Sequence, residues 1–171
     1  NNNVFIGENV ADANMTNAIE NVAIGYGALS ALTEGDKNIT IGYSAGEALT
    51  TGSENILIGD RTGDLATDAE GMVIIGSAAG TASITNGANG LLAIGYGAGA
   101  AITSGAANVV IGLEAGDAMT TTGATVLIGK SAGSAINSAD ADGTVAIGKD
   151  ALAALTDGEN NIAIGHVAAD V

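Results

Sequence analysis

Cysteine, proline and tryptophan are all missing from the 171-residue sequence, and aromatic residues of any kind are scarce. Without cysteine the chain holds no disulfide and no thiolate metal site, which leaves its redox compartment open. Three Tyr and one Phe are too few for an ordinary core of large side chains, yet 47% of the residues are hydrophobic and 27 are Gly. Any core is therefore thin and built from small aliphatic groups. The lack of proline also excludes collagen and proline-rich linkers.

Basic residues are the next scarcity, because 4 Lys and Arg stand against 19 Asp and Glu, for a formal net charge of −15. Such a charge repels nucleic acid and anionic membranes, and we expect neither as a partner. We interpret the acidity as a source of solubility for a long exposed surface. A weaker interpretation is calcium binding by turn carboxylates, since no EF-hand or glycine-rich nonapeptide motif occurs. The candidate calcium ligands are Asp140 and Asp142, or Asp68 and Glu70.

Long apolar runs are missing as well, so we expect no membrane insertion by this segment. No signal peptide opens the sequence, and any export signal is expected outside it.

What the sequence has is a repeat. The dipeptide Ile-Gly occurs ten times, at intervals of 17 to 19 residues. Such spacing predicts a solenoid in which each repeat forms one turn, called a coil below. The repeated glycines are Gly7, Gly25, Gly42, Gly59, Gly76, Gly95, Gly112, Gly129, Gly148 and Gly165.

Each Ile-Gly is predicted to end a short β-strand. Val, Ile or Leu stands two residues before every one of these isoleucines, and a period of two with β-branched residues is typical of a strand that points alternate side chains into a core. The predicted inward isoleucines are Ile6, Ile24, Ile41, Ile58, Ile75, Ile94, Ile111, Ile128, Ile147 and Ile164.

The residue between the two predicted inward positions should then face outward, and it is apolar in nine of the ten repeats. An apolar column on an outer face indicates a surface that another layer or chain covers. We therefore expect a homotrimer. Its candidate subunit interface consists of Leu57, Ile74, Val110 and Leu127.

The second arm of each coil has two interpretations. Apolar residues three, four, six and seven positions after Ile-Gly fit a helix, and Ser44 with Glu47, or Asp150 with Gly158, resembles helix capping. However, strands stack about 4.8 Å apart, whereas helices need 8 to 10 Å. Either the arm is a compact turn, or the solenoid curves with helices outside. We favour a straight, mainly β, parallel β-roll of about ten coils, each with one short strand and a compact second arm.

Two families share this pattern. The run Asn21-Val22-Ala23-Ile24-Gly25 resembles the core repeat in YadA-type heads of trimeric autotransporter adhesins. The longer run Asn38-Ile39-Thr40-Ile41-Gly42-Tyr43-Ser44-Ala45-Gly46 is more similar to repeats of bacteriophage tail fibres and marine surface proteins. The adhesin resemblance implies a left-handed parallel β-roll that trimerises through its strands, although the period here is longer than in that family.

These resemblances predict an extracellular structural and adhesive protein. We expect residues 1–171 to form one repetitive solenoid within a longer fibre. The predicted setting is a phage tail fibre in the virion, or another host-attachment fibre, with the head of a bacterial cell-surface adhesin as the alternative. The implied partners are two further copies of the chain and a glycan or protein receptor on the host cell.

Catalysis is not expected. The only histidine is His166, in the last coil, so no Ser-His-Asp arrangement recurs in the body of the chain. No phosphate-loop motif occurs, and the glycines are explained by turns. One repeat position holds acidic residues, which we interpret as a solvated column: Asp12, Glu47, Asp64 and Asp117.

Two further columns suggest ligands. The tyrosines Tyr26, Tyr43 and Tyr96 each follow an Ile-Gly, and aromatic rings in one register form a candidate face for stacking on sugars. A threonine column raises ice binding as a function of another class, but satisfying turn backbone groups is the role that we favour for its hydroxyls. That column contains Thr33, Thr50, Thr67, Thr103, Thr120 and Thr156.

Overall fold

The computed structural model describes residues 2–170, and these contain one parallel sheet of ten strands. The strands follow each other in the sheet in the same order as in the sequence. Each is three residues long, and their bounds are β1 Val4–Ile6, β2 Val22–Ile24, β3 Ile39–Ile41, β4 Ile56–Ile58, β5 Val73–Ile75, β6 Leu92–Ile94, β7 Val109–Ile111, β8 Val126–Ile128, β9 Val145–Ile147 and β10 Ile162–Ile164. The predicted parallel β-solenoid is confirmed.

The register of the sheet is the same at every step. Ile24 lies opposite Ile41, which lies opposite Ile58, and the other strand positions pair in the same way. Each coil therefore places the same residue above its counterpart in the next. Nine steps of about 4.8 Å separate the first strand from the last, a distance of roughly 43 Å.

The second arm is a series of turns and not a helix. Within residues 2–170 the only helical elements are two 3-10 turns, Asn86–Ala88 and Ala139–Ala141, and both lie in the coils that are 19 residues long. Ser44 has φ 50°, a left-handed conformation that is incompatible with a helix N-cap. The helical interpretation of the arm is therefore wrong. A compact turn keeps the spacing between coils at that of a sheet.

The middle residues of the strands, called the central column below, point into the core. In β2 to β9 all of them are fully buried, which is the opposite of the sequence prediction. The predicted subunit interface residues belong to this column and lie inside a single chain: Leu57, Ile74, Val110 and Leu127. Their assignment to an interface is wrong. They pack against aliphatic residues from the second arm, such as Leu32, Ile102 and Met119.

The first and third residues of each strand point outward, so the predicted inward isoleucines are also wrongly assigned. Ile39 and Ile41 of β3 are 38% and 37% exposed, although β3 pairs with a neighbouring strand along each of its edges. The error applies to the whole set: Ile6, Ile24, Ile41, Ile58, Ile75, Ile94, Ile111, Ile128, Ile147 and Ile164. Alternation along the strand was correctly predicted, but the two faces were interchanged.

A ladder of buried asparagines explains which face is inside. Asn38 precedes β3, has the same orientation as the central column and is fully buried. Its Nδ2 donates to Oδ1 of Asn21, 3.1 Å away, and to the carbonyl oxygen of Gly52 at 2.9 Å. Its Oδ1 in turn accepts a hydrogen bond from Nδ2 of Asn55 at 3.0 Å. Because each amide is fully paired, burial of these polar side chains carries little penalty.

The glycine of each Ile-Gly allows the coils to approach closely. Gly76 has φ 137°, a conformation that L side chains rarely adopt, and a Cβ placed on it would lie 2.5 Å from the carbonyl oxygen of Gly95 in the next coil. The corresponding glycines of the other coils have φ between 132° and 143°. Backbone geometry therefore requires glycine at this position, and no ligand is needed to explain it.

Candidate functional site

The outward residues of the ten strands form one continuous apolar surface, called the outer sheet face below. It contains the first and third residue of every strand, which are all Val, Ile or Leu. At the ends of the sheet its exposure is large, with Ile164 68% and Ile162 74% exposed. A contiguous apolar surface of this kind is typical of a binding interface.

A second column borders this face, one residue beyond each Ile-Gly, and it contains the three tyrosines. The predicted shared column of the three tyrosines is confirmed, because the strands that precede them pair in one constant register. The backbone N–H of Ser44, the residue after Tyr43, also donates to the carbonyl oxygen of Tyr26. The rings of Tyr26 and Tyr43 stack with centroids 5.4 Å apart and an interplanar angle of 9°. Nδ2 of Asn9 also donates to Oη of Tyr26 at 3.1 Å.

Tyr96 stands in the same column three coils beyond Tyr43. It is 57% exposed, and Tyr26 and Tyr43 are 46% and 51% exposed. Between Tyr43 and Tyr96 the column contains Asp60, which is exposed, and Ser77, which is half-buried. The structure therefore places aromatic rings at both ends of a short polar segment.

Arg61 is the chain's one arginine and lies beside this segment. Its backbone N–H donates to the carbonyl oxygen of Tyr43 at 2.8 Å, which fixes its position on the surface next to the tyrosine. Its side chain is exposed, and its charge acts on Asp64 from the same coil. Nothing in the repeat pattern singles out Arg61, because Asn, Gly, Ser, Ala and Glu occupy that position in other coils.

Two of the four residues in the acidic column, Asp12 and Glu47, are exposed as the solvated-column interpretation expects, whereas Asp64 and Asp117 are half-buried. Burial raises the pKa of the Asp64 carboxyl above its ordinary value, the charge of Arg61 lowers it in part, and Glu47 raises it. Oδ1 of Asp64 is buried without a hydrogen-bond partner. Burial likewise raises the pKa of Asp117, and Glu114 adds to the increase. These carboxylates carry a small electrostatic cost in the folded chain.

Two of the four candidate calcium ligands, Asp142 and Asp68, use their carboxylates to bind backbone groups in turns. Oδ1 of Asp142 accepts the backbone N–H of Gly123 at 2.7 Å, and Oδ1 of Asp68 accepts that of Asn86 at 3.1 Å. The backbone N–H of Glu70 donates to Oδ1 of Asn89 at 2.9 Å. Among residues 2–170, no three or more His, Cys, Asp or Glu side chains come close enough to hold a metal ion. The calcium interpretation therefore gains no ligand set from the structure.

The hydroxyls of the threonine column bind the backbone. Those of Thr33, Thr50 and Thr103 donate to carbonyl oxygens of the next coil at 3.0 to 3.1 Å, and that of Thr120 does so at 3.2 Å. The favoured role of these hydroxyls is confirmed for the four residues. Hydroxyls used in this way do not form a free array for ice.

Three basic side chains lie just after the C-terminal ends of the last three strands. Lys130, Lys149 and His166 occupy the tyrosine column in three successive coils, and all are exposed. Nζ of Lys149 lies 2.9 Å from Oδ2 of Asp150, and this hydrogen bond is the main reason why the pKa of Asp150 is lowered.

The described surface has no enclosed pocket, so a ligand would bind on open surface. Within the same residues, no helix has the length and hydrophobicity required to cross a membrane.

Comparison of the chain with protein-family models, with curated proteins and with solved structures finds no match. Functional inference therefore rests on the two surfaces described above. Sequence reasoning identified the tyrosine column, treated Asp60 and Ser77 only as interruptions of it, and gave no role to Arg61. It also placed the outer sheet face in the core.

Proposed function

We propose that the chain is a structural and adhesive module of an extracellular attachment fibre, with a phage tail fibre as its setting and a bacterial trimeric adhesin as the alternative. The outer sheet face carries this proposal, because it gives the solenoid one continuous apolar side. A rod without an enclosed pocket suits a shaft better than it suits catalysis on a small substrate.

In this proposal three copies of the chain bury their outer sheet faces against one another. Each strand is only three residues long, so the outer sheet face is narrow. Both outward positions of every strand carry aliphatic residues. Three such narrow faces around one axis cover each other and give closed symmetry. Most residues of this face are already partly buried in the single chain, so each contributes only part of the about 1.5 to 3 kcal/mol of full burial. Because every strand adds two such residues, the summed contribution exceeds the cost of association.

Light scattering coupled to size-exclusion chromatography tests the assembly. The wild-type chain is expected to have the mass of a trimer. Replacement of Val109 and Ile111 by Lys places two charges in the outer sheet face of β7 and should give a folded monomer. Ala106→Lys is the matched control, since Ala106 is exposed in the same coil but outside the face. A monomeric wild-type chain, or a trimer that survives the double lysine change, would contradict the proposed interface.

Mass spectrometry distinguishes the two settings. The tail-fibre proposal expects peptides of this chain in purified virions, whereas the adhesin alternative expects them in washed bacterial cells. Virions of the encoding phage that lack this polypeptide would remove the first setting.

A further inference from the structure

We infer that the segment of the tyrosine column from Tyr26 to Tyr96 binds a neutral, linear glycan on the open surface of the rod. The site consists of Tyr26, Tyr43, Asp60, Arg61, Ser77 and Tyr96. This inference deepens the adhesive part of the proposed function and rests on it, but its test can fail separately from that of the fibre.

The aromatic rings provide the surface for stacking. Since the rings of Tyr26 and Tyr43 stack on each other, Tyr26 covers one face of Tyr43 and holds the ring in place. The other face of Tyr43 is directed away from Tyr26, toward the coil of Asp60. The hydrogen bond from Nδ2 of Asn9, in the preceding coil, to Oη of Tyr26 also restrains the position of the pair. The ring of Tyr43 is therefore pre-positioned, which lowers the entropy cost of binding.

Tyr96 lies at the opposite end of the polar segment. Three steps of about 4.8 Å separate it from Tyr43, so the two positions are roughly 14 Å apart along the rod. A short stretch of a linear glycan is long enough to span this distance. Aromatic faces carry partial negative charge and pack well against the weakly positive C–H groups of a sugar ring. Exposed tyrosines such as these also lose few rotamers on binding.

The residues between the tyrosines provide polar contacts for hydroxyl groups. The carboxylate of Asp60 can accept two hydrogen bonds, and the guanidinium of Arg61 can donate several. The hydroxyl of Ser77 can do either. Donors and acceptors on residues between the two tyrosines fit sugar hydroxyls, which can both donate and accept hydrogen bonds.

The charge of the chain favours a neutral glycan over an acidic one. A net charge of −15 repels polyanions, and Asp60 adds a negative charge at the centre of the site. The chain's exposed lysines in this column, Lys130 and Lys149, lie beyond Tyr96 and outside the segment. In the proposed assembly the column lies at the rim of the outer sheet face, where polar and accessible residues are usual.

The composition of the chain gives a direct readout. It has no Trp, and all three of its Tyr residues are in this site. Its tyrosine fluorescence therefore reports only on the proposed site. The probes are soluble galactomannan, xyloglucan and dextran as neutral glycans, with alginate as the acidic one. Binding is measured by tyrosine fluorescence and by retardation in native gels that contain each polysaccharide.

We expect at least one neutral glycan to retard the wild-type chain and to change its tyrosine emission. Tyr43→Ala and Tyr96→Ala should each weaken binding about fivefold to tenfold in the gel assay, from the loss of one stacking face. Tyr43→Phe keeps the ring and should retain most of the affinity. Lys130→Ala, in the same column but outside the site, should bind within about twofold of the wild type.

Three outcomes would overturn the inference: no interaction with any neutral glycan, interaction with alginate alone, or neutral-glycan binding that survives the combined Tyr43→Ala and Tyr96→Ala change. Circular dichroism confirms that each variant is folded. Light scattering on the same samples separates the two proposals. A trimer that binds no glycan would contradict the glycan site but not the fibre module. A monomer that binds glycan would contradict only the proposed trimer.

Discussion

The hydroxyl of Thr125 donates a 2.8 Å hydrogen bond to Oδ1 of Asn108 in the preceding coil. The same Oδ1 accepts the backbone N–H of Thr125 at 3.0 Å, so in this coil Thr125 takes the place of the asparagine of other coils without leaving its own hydroxyl unpaired. Thr40, in the central column of β3, is equally buried, but its Oγ1 has no partner. Two buried threonines thus have opposite effects on stability.

The first prediction follows from this contrast. Thr40→Val removes an unpaired buried hydroxyl while it keeps the shape of the side chain, and should raise the free energy of unfolding by about 1 kcal/mol. Thr125→Val, the control, removes one of the two hydrogen bonds that Thr125 donates to Oδ1 of Asn108 and should lower it by about 1 kcal/mol. Chemical denaturation measures both. Equal effects of the two substitutions would show that the hydroxyl of Thr40 has a partner.

The second prediction concerns the two faces of a strand. Leu127 is fully buried, whereas its neighbour Ile128 belongs to the outer sheet face. Leu127→Asp places an unpaired carboxylate in the core and should cost several kcal/mol, enough to disrupt neighbouring coils. Ile128→Asp should leave the fold intact and prevent association. Thermal unfolding followed by circular dichroism at low protein concentration compares them, and a greater loss for Ile128→Asp would reverse the assigned faces.

The third prediction compares two glycines that are five residues apart. Gly76→Ala forces a Cβ to within 2.5 Å of the carbonyl oxygen of Gly95, and should cost several kcal/mol because backbone atoms must shift. Gly71 has φ 66° with nothing within 4 Å of an added Cβ, so Gly71→Ala should cost only about 1 kcal/mol. Urea denaturation gives both values. A tolerated Gly76→Ala would mean that the coils are less tightly stacked than described.

The fourth prediction is a pH dependence at Asp117. Burial raises the pKa of this carboxyl in the folded chain, so folding favours the protonated form. Its contribution to stability is therefore most favourable below its ordinary pKa of about 3.9, and is lost as pH rises through the higher pKa of the folded state. Asp117→Asn should raise the melting temperature at pH 7 and lose this advantage at low pH.

Asp157→Asn, at an exposed turn, controls for the loss of one negative charge. Melting curves between pH 3 and pH 7 measure both variants. A gain from Asp117→Asn that is the same at every pH, or that is matched by Asp157→Asn, would count against burial as the cause.

The repeat predicted the fold but not which face of each strand lies in the core. The regular Ile-Gly spacing predicted ten strands and their register, because each coil must pair with an identical neighbour. It could not assign the faces, since Val22 and Ile24 alternate with Ala23, and all three are apolar. An alternation without polar residues leaves the inward face unspecified. Asn21 lies two residues before Ala23, so its side chain points to the same face. That face could be recognised as the inner one only with the knowledge that Asn21 is buried in a hydrogen-bonded ladder.

The second arm was harder to predict because residue type does not report its backbone conformation. Gly46 and Leu29 occupy the same position of two successive coils, and both have a left-handed φ, 61° and 53°. In the coil of Leu29 no glycine stands at this position to indicate the turn. Contacts between coils impose the conformation, so it follows from the stack and not from local preference.

Because the strand of each described coil contacts only the strands of the coils before and after it, tension along the rod would act on the end coil first. A coil that peels away releases 17 to 19 residues of chain. When stretched at about 3.4 Å per residue, such a length extends roughly 60 Å, compared with about 5 Å in the stack. A fibre built from this module would lengthen in regular increments under load. It would thus extend under the pull of an attached particle while the remaining coils stay folded.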